Sequence, residues 1–182
     1  VGADFACDDA LAGLTVDVTR GGLTTLFTNL YPAGALRVQR IEATAPPIAP
    51  PPRLPDAALV HLAPVLQEVD LAAWVAAAGD RPVAIAVQGW IKDRGPGETV
   101  VQTPWQVDGA LLARVAFAAC GEEDLVDQGD LLDRLCRHVP IVAFTGTGEQ
   151  LHIAKCLHAT CATAMTYPLV ATNGSGITPR LA

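Results

Sequence analysis

The spacing of hydrophobic and polar positions changes character twice along the chain. Leu23 to Leu30 (LTTLFTNL) is a β-type run rich in Thr, Leu and Phe, followed by Tyr31-Pro32-Ala33-Gly34 and a second run from Leu36 to Ile41. Two such runs around a Pro/Gly turn predict a β-hairpin over residues 23–42. Between Ala45 and Pro55 six of eleven residues are proline (Pro46, Pro47, Pro50, Pro51, Pro52, Pro55). Proline removes backbone donors and fixes φ, so 45–55 reads as a stiff, extended connector. From Ala57 onward, short wholly apolar runs alternate with helical ones, as expected of parallel strands buried on both faces.

In that second part the pattern predicts strands at Ala57–Ala63, Pro82–Val87, Val115–Cys120 and Pro140–Phe144. Helices are expected at Val69–Ala78, ended by Gly79, at Val107–Leu112, at Glu122–Val126 and at Gly129–His138, with an extended piece at Thr99–Thr103. His61 lies inside the first apolar run and reads as a core histidine. At least four parallel strands joined through helices give an α/β class: a Rossmann-like, mostly parallel sheet with flanking helices and a small β-hairpin near the N-terminus. No internal repeat is visible, and 1–182 reads as a single domain.

Composition narrows the function classes. The 182 residues are 51% hydrophobic and 17% charged, with 12 Lys plus Arg against 19 Asp plus Glu, a formal charge of −7. The apolar fraction excludes a disordered chain. The acidic balance excludes a surface that neutralises many phosphates, so no nucleic-acid partner is expected. No apolar run reaches the roughly 18–20 residues of a membrane-spanning helix; Asp70, Asp80 and Arg81 bound the longest one. Val1-Gly2-Ala3-Asp4 has no basic leader, so no signal peptide is expected and the chain reads as starting inside a domain. Five cysteines at irregular spacing predict reduced thiols and a cytoplasmic protein.

The order of several phrases carries a family resemblance: LTTLFTNLY then RVQRIEATAPPI, ALVHLAPVLQEVDL, VAIAVQGWIKD, GEEDL and PIVAFTG. Over about Val1 to Gly148 the chain resembles the central portion of the ribokinase-like (PfkB) carbohydrate and nucleoside kinases. The resemblance implies transfer of the ATP γ-phosphate to a sugar or nucleoside hydroxyl, with ATP and magnesium as cofactors. It assigns Gln88, Gly89 and Trp90 to a loop on the substrate side, Thr145 and Gly148 to nucleotide contacts, and Glu123 and Asp124 to magnesium and phosphate, with Gly121 where a polar partner is usual. Acids at a helix start are equally explained by the helix dipole, and Trp90 equally by packing.

The family's signature is a D-T-x-G-A-G-D turn roughly thirty residues after the TrG strand. There backbone N–H groups bind the transferring phosphate and the last Asp takes the proton from the acceptor. Counting 29 from Thr145 reaches Gly174 in Val170-Ala171-Thr172-Asn173-Gly174-Ser175-Gly176-Ile177. The resemblance makes Gly174, Ser175 and Gly176 an anion cradle, and places Ala171 and Ile177 where the two acids belong. An isoleucine accepts no proton, so the expected chain is a weak or inactive relative. The alternative for Gly174–Gly176 is an ordinary tail.

The family's first strands, with its sugar ligands, and the helices after its signature are not in the sequence. On this reading the chain is a fragment or a degenerate copy whose sheet edges lack partners. The second functional reading is therefore a non-catalytic interaction or nucleotide-binding module that self-associates, as a homodimer, through an exposed sheet edge. His152, Cys156, His158 and Cys161 have the composition of a zinc site but no standard finger spacing, and no metal is expected there. Cys120 with His138 or His152 has the composition of a thiol nucleophile and base, but a core cysteine fits its apolar strand better.

Overall fold

The computed structural model describes residues 13–16, 18–33, 38–145, 150–157 and 160–168, the last two segments by their backbone. A six-stranded sheet carries the molecule. Its parallel part is β3 (Val60–Leu62), β4 (Val83–Ala86), β7 (Val115–Gly121) and β8 (Ile141–Thr145), lying side by side in that order. The four parallel strands match the expected set: β3 and β4 are shorter than expected, β7 runs one residue further, and β8 is displaced by one residue. Beyond β8 the sheet continues with an antiparallel hairpin, β9 (Gln150–Leu157) and β10 (Thr160–Pro168), which the apolar pattern had not indicated.

Every parallel connection steps the same way across the sheet, and such crossovers are right-handed. That places α1 (Leu71–Ala78), α3 (Gly109–Leu112) and α4 (Leu131–His138) on one face. The core lies there. Leu62, Val83, Ile85, Ala118, Cys120 and Val142 from the strands pack with Leu71, Val75 and Ala78 of α1, Leu112 of α3 and Leu131 and Leu135 of α4. The strand register sets His61, Ala84, Phe117 and Ile141 in one row across the other face, with Ala119 beside Ala143 in a second. The strands read as continuously apolar because this second face carries mostly alanine, with Ala84 and Ala143 buried on it. His61 is exposed on the edge strand, which corrects its reading as a core histidine.

Local chemistry sets the helix ends. Asp70 caps α1 by accepting from the N–H groups of Ala72 (2.9 Å) and Ala73 (3.2 Å). Gly79, at φ +61°, ends it in a conformation that a side chain resists. Asp108 caps α3 through Ala110 N–H at 3.0 Å. In α4 the leucines face the core, and Arg137 and His138 stand in the last turn, where positive charge suits the dipole.

Two antiparallel hairpins sit at the carboxyl end of the strands. The first, β1 (Leu26–Leu30) with β2 (Val38–Ala43), is the hairpin expected over 23–42. The second, β5 (Lys92–Arg94) with β6 (Val100–Gln102), turns through Pro96–Glu98; the sequence pattern showed only its second strand. They meet through a bridge between Arg40 and Thr99, and the Arg40 guanidinium donates to the Gly97 carbonyl at 3.3 Å. Ile48 N–H donates to the Glu68 carbonyl at 2.7 Å, which ties the proline-rich connector to the sheet. Among the described residues no helix is long and apolar enough to cross a membrane.

Candidate functional site

Open parallel sheets expose their crevices at the carboxyl ends of the strands, because the connecting loops begin there. Here β4 ends into Gln88, β7 ends at Gly121 and runs into a 3₁₀ turn, Glu122–Leu125, and β8 ends at Thr145. Gly121 and Thr145 are register partners, so these ends stand side by side. A cavity of about 140 Å³ opens at this edge, lined by Gln39, Lys92, Val100, Gln102, Glu123 and Asp124.

Asp124 is the anchor of the crevice. It is 4% exposed, and one carboxylate oxygen accepts from Gly121 N–H at 2.8 Å while the other accepts from the Gln88 amide at 3.4 Å. The bond to Gly121 closes the 3₁₀ turn and satisfies a backbone donor that the end of β7 would leave open. Around it, Gln102 donates to the Glu123 carbonyl at 2.8 Å and the Lys92 ammonium donates to Gln39 at 3.4 Å. Gln39 in turn donates to Asn29 at 2.9 Å. Both hairpins thus contribute amide or ammonium groups to a crevice whose floor supplies carboxylates. The lining holds donors and acceptors of both kinds and one apolar wall, Val100, chemistry suited to hydroxyl-rich or phosphate-bearing ligands.

The residues expected to carry chemistry divide into two groups. Gln88, Glu123, Asp124 and Thr145 come together at the carboxyl edge. Gly89 and Trp90 point away from it, into a packing junction. Gln88–Ile91 forms a one-turn helix, α2, whose Gly89 and Trp90 are buried. The Trp90 N–H donates to the Val69 carbonyl at 2.7 Å, and its ring stacks on Trp105 at 5.1 Å between centroids and 12° between planes. Gln67 N–H donates to the Gly89 carbonyl at 2.8 Å, and Glu68 accepts from the N–H groups of Val65 and Leu66. A larger cavity of about 300 Å³ lies beside this stack, between the caps Asp70 and Asp108, and is separate from the crevice. Gly148, Gly174, Ser175, Gly176 and Ile177 lie outside the described residues.

Cys120 is a core thiol. Burial, with a lesser contribution from the Asp124 charge, pushes its pKa from 9.0 up to about 12, so it is no nucleophile at neutral pH. Among the described residues no three His, Cys, Asp or Glu side chains are grouped to hold a metal. Sequence reasoning missed Gln39, Lys92 and Gln102 as lining residues, and Trp105 with Gln128 as the support beneath. Gln128 is buried, accepts from Trp105 N–H and donates to the Thr103 carbonyl, both at 3.2 Å. Only Lys92 had a sequence signal, its place two residues after Trp90 within the QGWIKD phrase.

No protein-family model matches the chain, and no curated protein matches it in sequence. Solved structures do match in shape. A pyrophosphate-dependent kinase in the ribokinase family, in its sulfate complex, superposes with a TM-score of 0.68 at 14% identity, over 89% of this chain and 59% of that one. The complex of such a kinase with a pyrophosphate analogue and myo-inositol gives 0.66 at 14% identity, over 89% and 58%. Arabidopsis thaliana ribokinase with ribose and ATP gives 0.53 at 14% identity, over 87% and 53%. The chain spans less than two thirds of the length of these proteins. At such identities the likeness concerns architecture, and the architecture is that of the ribokinase-like α/β kinases.

Proposed function

We propose that the chain is a carbohydrate-kinase domain of the PfkB kind. Its lineage transfers the ATP γ-phosphate to a hydroxyl of a sugar or nucleoside, and transfer by this chain is weak or absent. The observation that carries the reading is the crevice at the carboxyl edge, where Asp124 organises the end of β7 and Lys92, Gln39, Gln102 and Glu123 line about 140 Å³. The resemblance adds Thr145 and Gly148 as nucleotide contacts and Gly174, Ser175 and Gly176 as the phosphate cradle. We place the protein in the cytoplasm, the compartment that supplies ATP.

Each group has a task that follows from its chemistry. Lys92 offers an ammonium to phosphate oxygens, and the Gln39 and Gln102 amides orient hydroxyls. Asp124 positions the β7 turn and holds Gln88 in place. Magnesium typically takes one or two protein carboxylates and completes its shell with water and phosphate oxygens. Glu123 at the crevice fits that habit, whereas Asp124 already serves Gly121 and Gln88. When bound, the ion neutralises phosphate charge. Ile177 at the base position leaves the acceptor proton without a recipient, a loss of about 10²–10⁴ in rate.

The test is phosphoryl transfer from ATP, or from pyrophosphate, to a panel of sugars, polyols and nucleosides. The expected result is trace turnover that rises in Ile177→Asp by about 10²–10⁴. Turnover by the unaltered chain in the ordinary range of about 1–100 s⁻¹ contradicts the proposed weakness. One observation favours the second reading, a self-associating module: Leu26, Leu30, Tyr31 and Val38 are exposed on the first hairpin, and Tyr31 is 74% exposed. Light scattering distinguishes a homodimer from a monomer.

A further inference from the structure

The last hairpin brings two cysteines into direct register. In β9 and β10, Leu157 faces Thr160 and Cys156 faces Cys161. Directly opposed α-carbons of antiparallel strands lie about 4.5–5.5 Å apart, whichever kind of pair they form. Disulfides span α-carbon separations of about 4.4–6.8 Å. The register therefore holds Cys156 and Cys161 at bridging distance, and the ladder shifts only beyond them, between Cys161 and Thr163.

We propose that Cys156 and Cys161 are a redox modification site that closes to a reversible disulfide. The oxidant is a low-molecular-weight disulfide. One cysteine thiolate attacks it, its S–S bond breaks, and one small thiolate leaves. The second cysteine thiolate then attacks the mixed disulfide at the protein sulfur and displaces the other small thiolate. The two protein thiols lose two electrons and two protons, and the small disulfide is reduced to two thiols. Cys120 takes no part, since it is buried in the core.

The bond lies away from the crevice. Lys155, next to Cys156, is the register partner of Ile141 at the start of β8, whereas Thr145 at its end pairs with Leu151. Four residues of strand, about 13 Å, separate the two ends. The proposal therefore rests on the hairpin alone and stands or falls apart from the kinase reading.

The test uses the full chain incubated with oxidised glutathione, quenched in acid and digested with trypsin. Cleavage after Lys155 and Arg180 leaves both cysteines on the peptide 156–180. The expected peptide is lighter by two hydrogen atoms, unreactive toward iodoacetamide and restored by dithiothreitol. Cys161→Ser converts it to a glutathione adduct on Cys156. The closed fraction in the folded chain is expected to exceed that in the urea-unfolded chain at least about tenfold, because the ladder holds the pair at bridging distance. Equal fractions in the two states overturn the proposal. So does a folded chain bearing two separate glutathione adducts, or one that retains zinc and loses it in Cys156→Ser.

Discussion

Replacing Gly89 with alanine tests whether the QGW phrase is a packing junction. A β-carbon at position 89 would stand 2.2 Å from both the carbonyl carbon and the carbonyl oxygen of Pro64, and 2.6 Å from the Pro64 β-carbon. Comfortable carbon contacts begin at about 3.5 Å, so the chain leaving β3 would have to retreat by more than about 1 Å. The obstacle is backbone, held next door by the Gln67 to Gly89 hydrogen bond and by the Glu68 carboxylate. Overpacking of this kind costs about 1–3 kcal/mol, and an immovable backbone places Gly89→Ala at the upper end. Alanine's better helix propensity returns up to about 1 kcal/mol in the short α2 turn, leaving about 2 kcal/mol. With a urea slope near 2 kcal/mol/M, the unfolding midpoint falls by about 1 M, read by tryptophan fluorescence and far-UV circular dichroism together. A midpoint that is unchanged or raised refutes the junction, because helix propensity alone would then decide the outcome.

The same reasoning gives further expectations. Asp124→Ala leaves the Gly121 N–H and the Gln88 amide without their acceptor and lowers stability by about 1–3 kcal/mol, whereas Asp124→Asn keeps one acceptor and loses less; urea titration of both variants checks the order. Cys120 has a folded pKa of about 12 against 9.0, so its contribution is fully present below pH 9 and is lost as pH rises toward 12. At pH 10 the loss is about 1.4 kcal/mol and disappears in Cys120→Ala, measured as the change of unfolding free energy between pH 8 and 10. Trp90→Phe keeps the stack on Trp105 but deprives the Val69 carbonyl of its donor, at about 1–3 kcal/mol by thermal or urea unfolding; an unchanged midpoint would show that the hydrogen bond contributes nothing.

Much of the fold was legible because the strands and helices obey local rules. The runs at Val83–Ala86 and Val115–Cys120 are apolar on both faces, and Asp70, Gly79 and Asp108 mark helix ends in the usual way. The phrases that carry the resemblance have a basis in packing. Pro64, Glu68, Gly89 and Trp90 are fixed by one another at the junction of two βα turns, so they report architecture more than substrate. Glu123 and Asp124 were found through the GEEDL phrase of the resemblance, which falls on the turn after β7 where Asp124 accepts from Gly121 N–H. Gln39, Lys92 and Gln102 were not, because amides and ammonium groups on short hairpins leave no periodic trace, and Gln39 comes to the crevice by the pairing of the first hairpin with the second at Arg40 and Thr99. The first strand of the second hairpin, β5, was hidden by its length of three residues.

On the proposed function, the carboxyl-edge crevice binds the phosphate donor. Backbone amide chemical shifts of the isotope-labelled full chain, titrated with magnesium and ATP and separately with magnesium and pyrophosphate, test it most directly. Saturable shifts are expected at Gly121, Glu123 and Asp124, at Thr145 and at Lys92, and they weaken in Lys92→Met. Saturable shifts confined to the cavity between Asp70 and Asp108, or no shifts at millimolar donor, would contradict it.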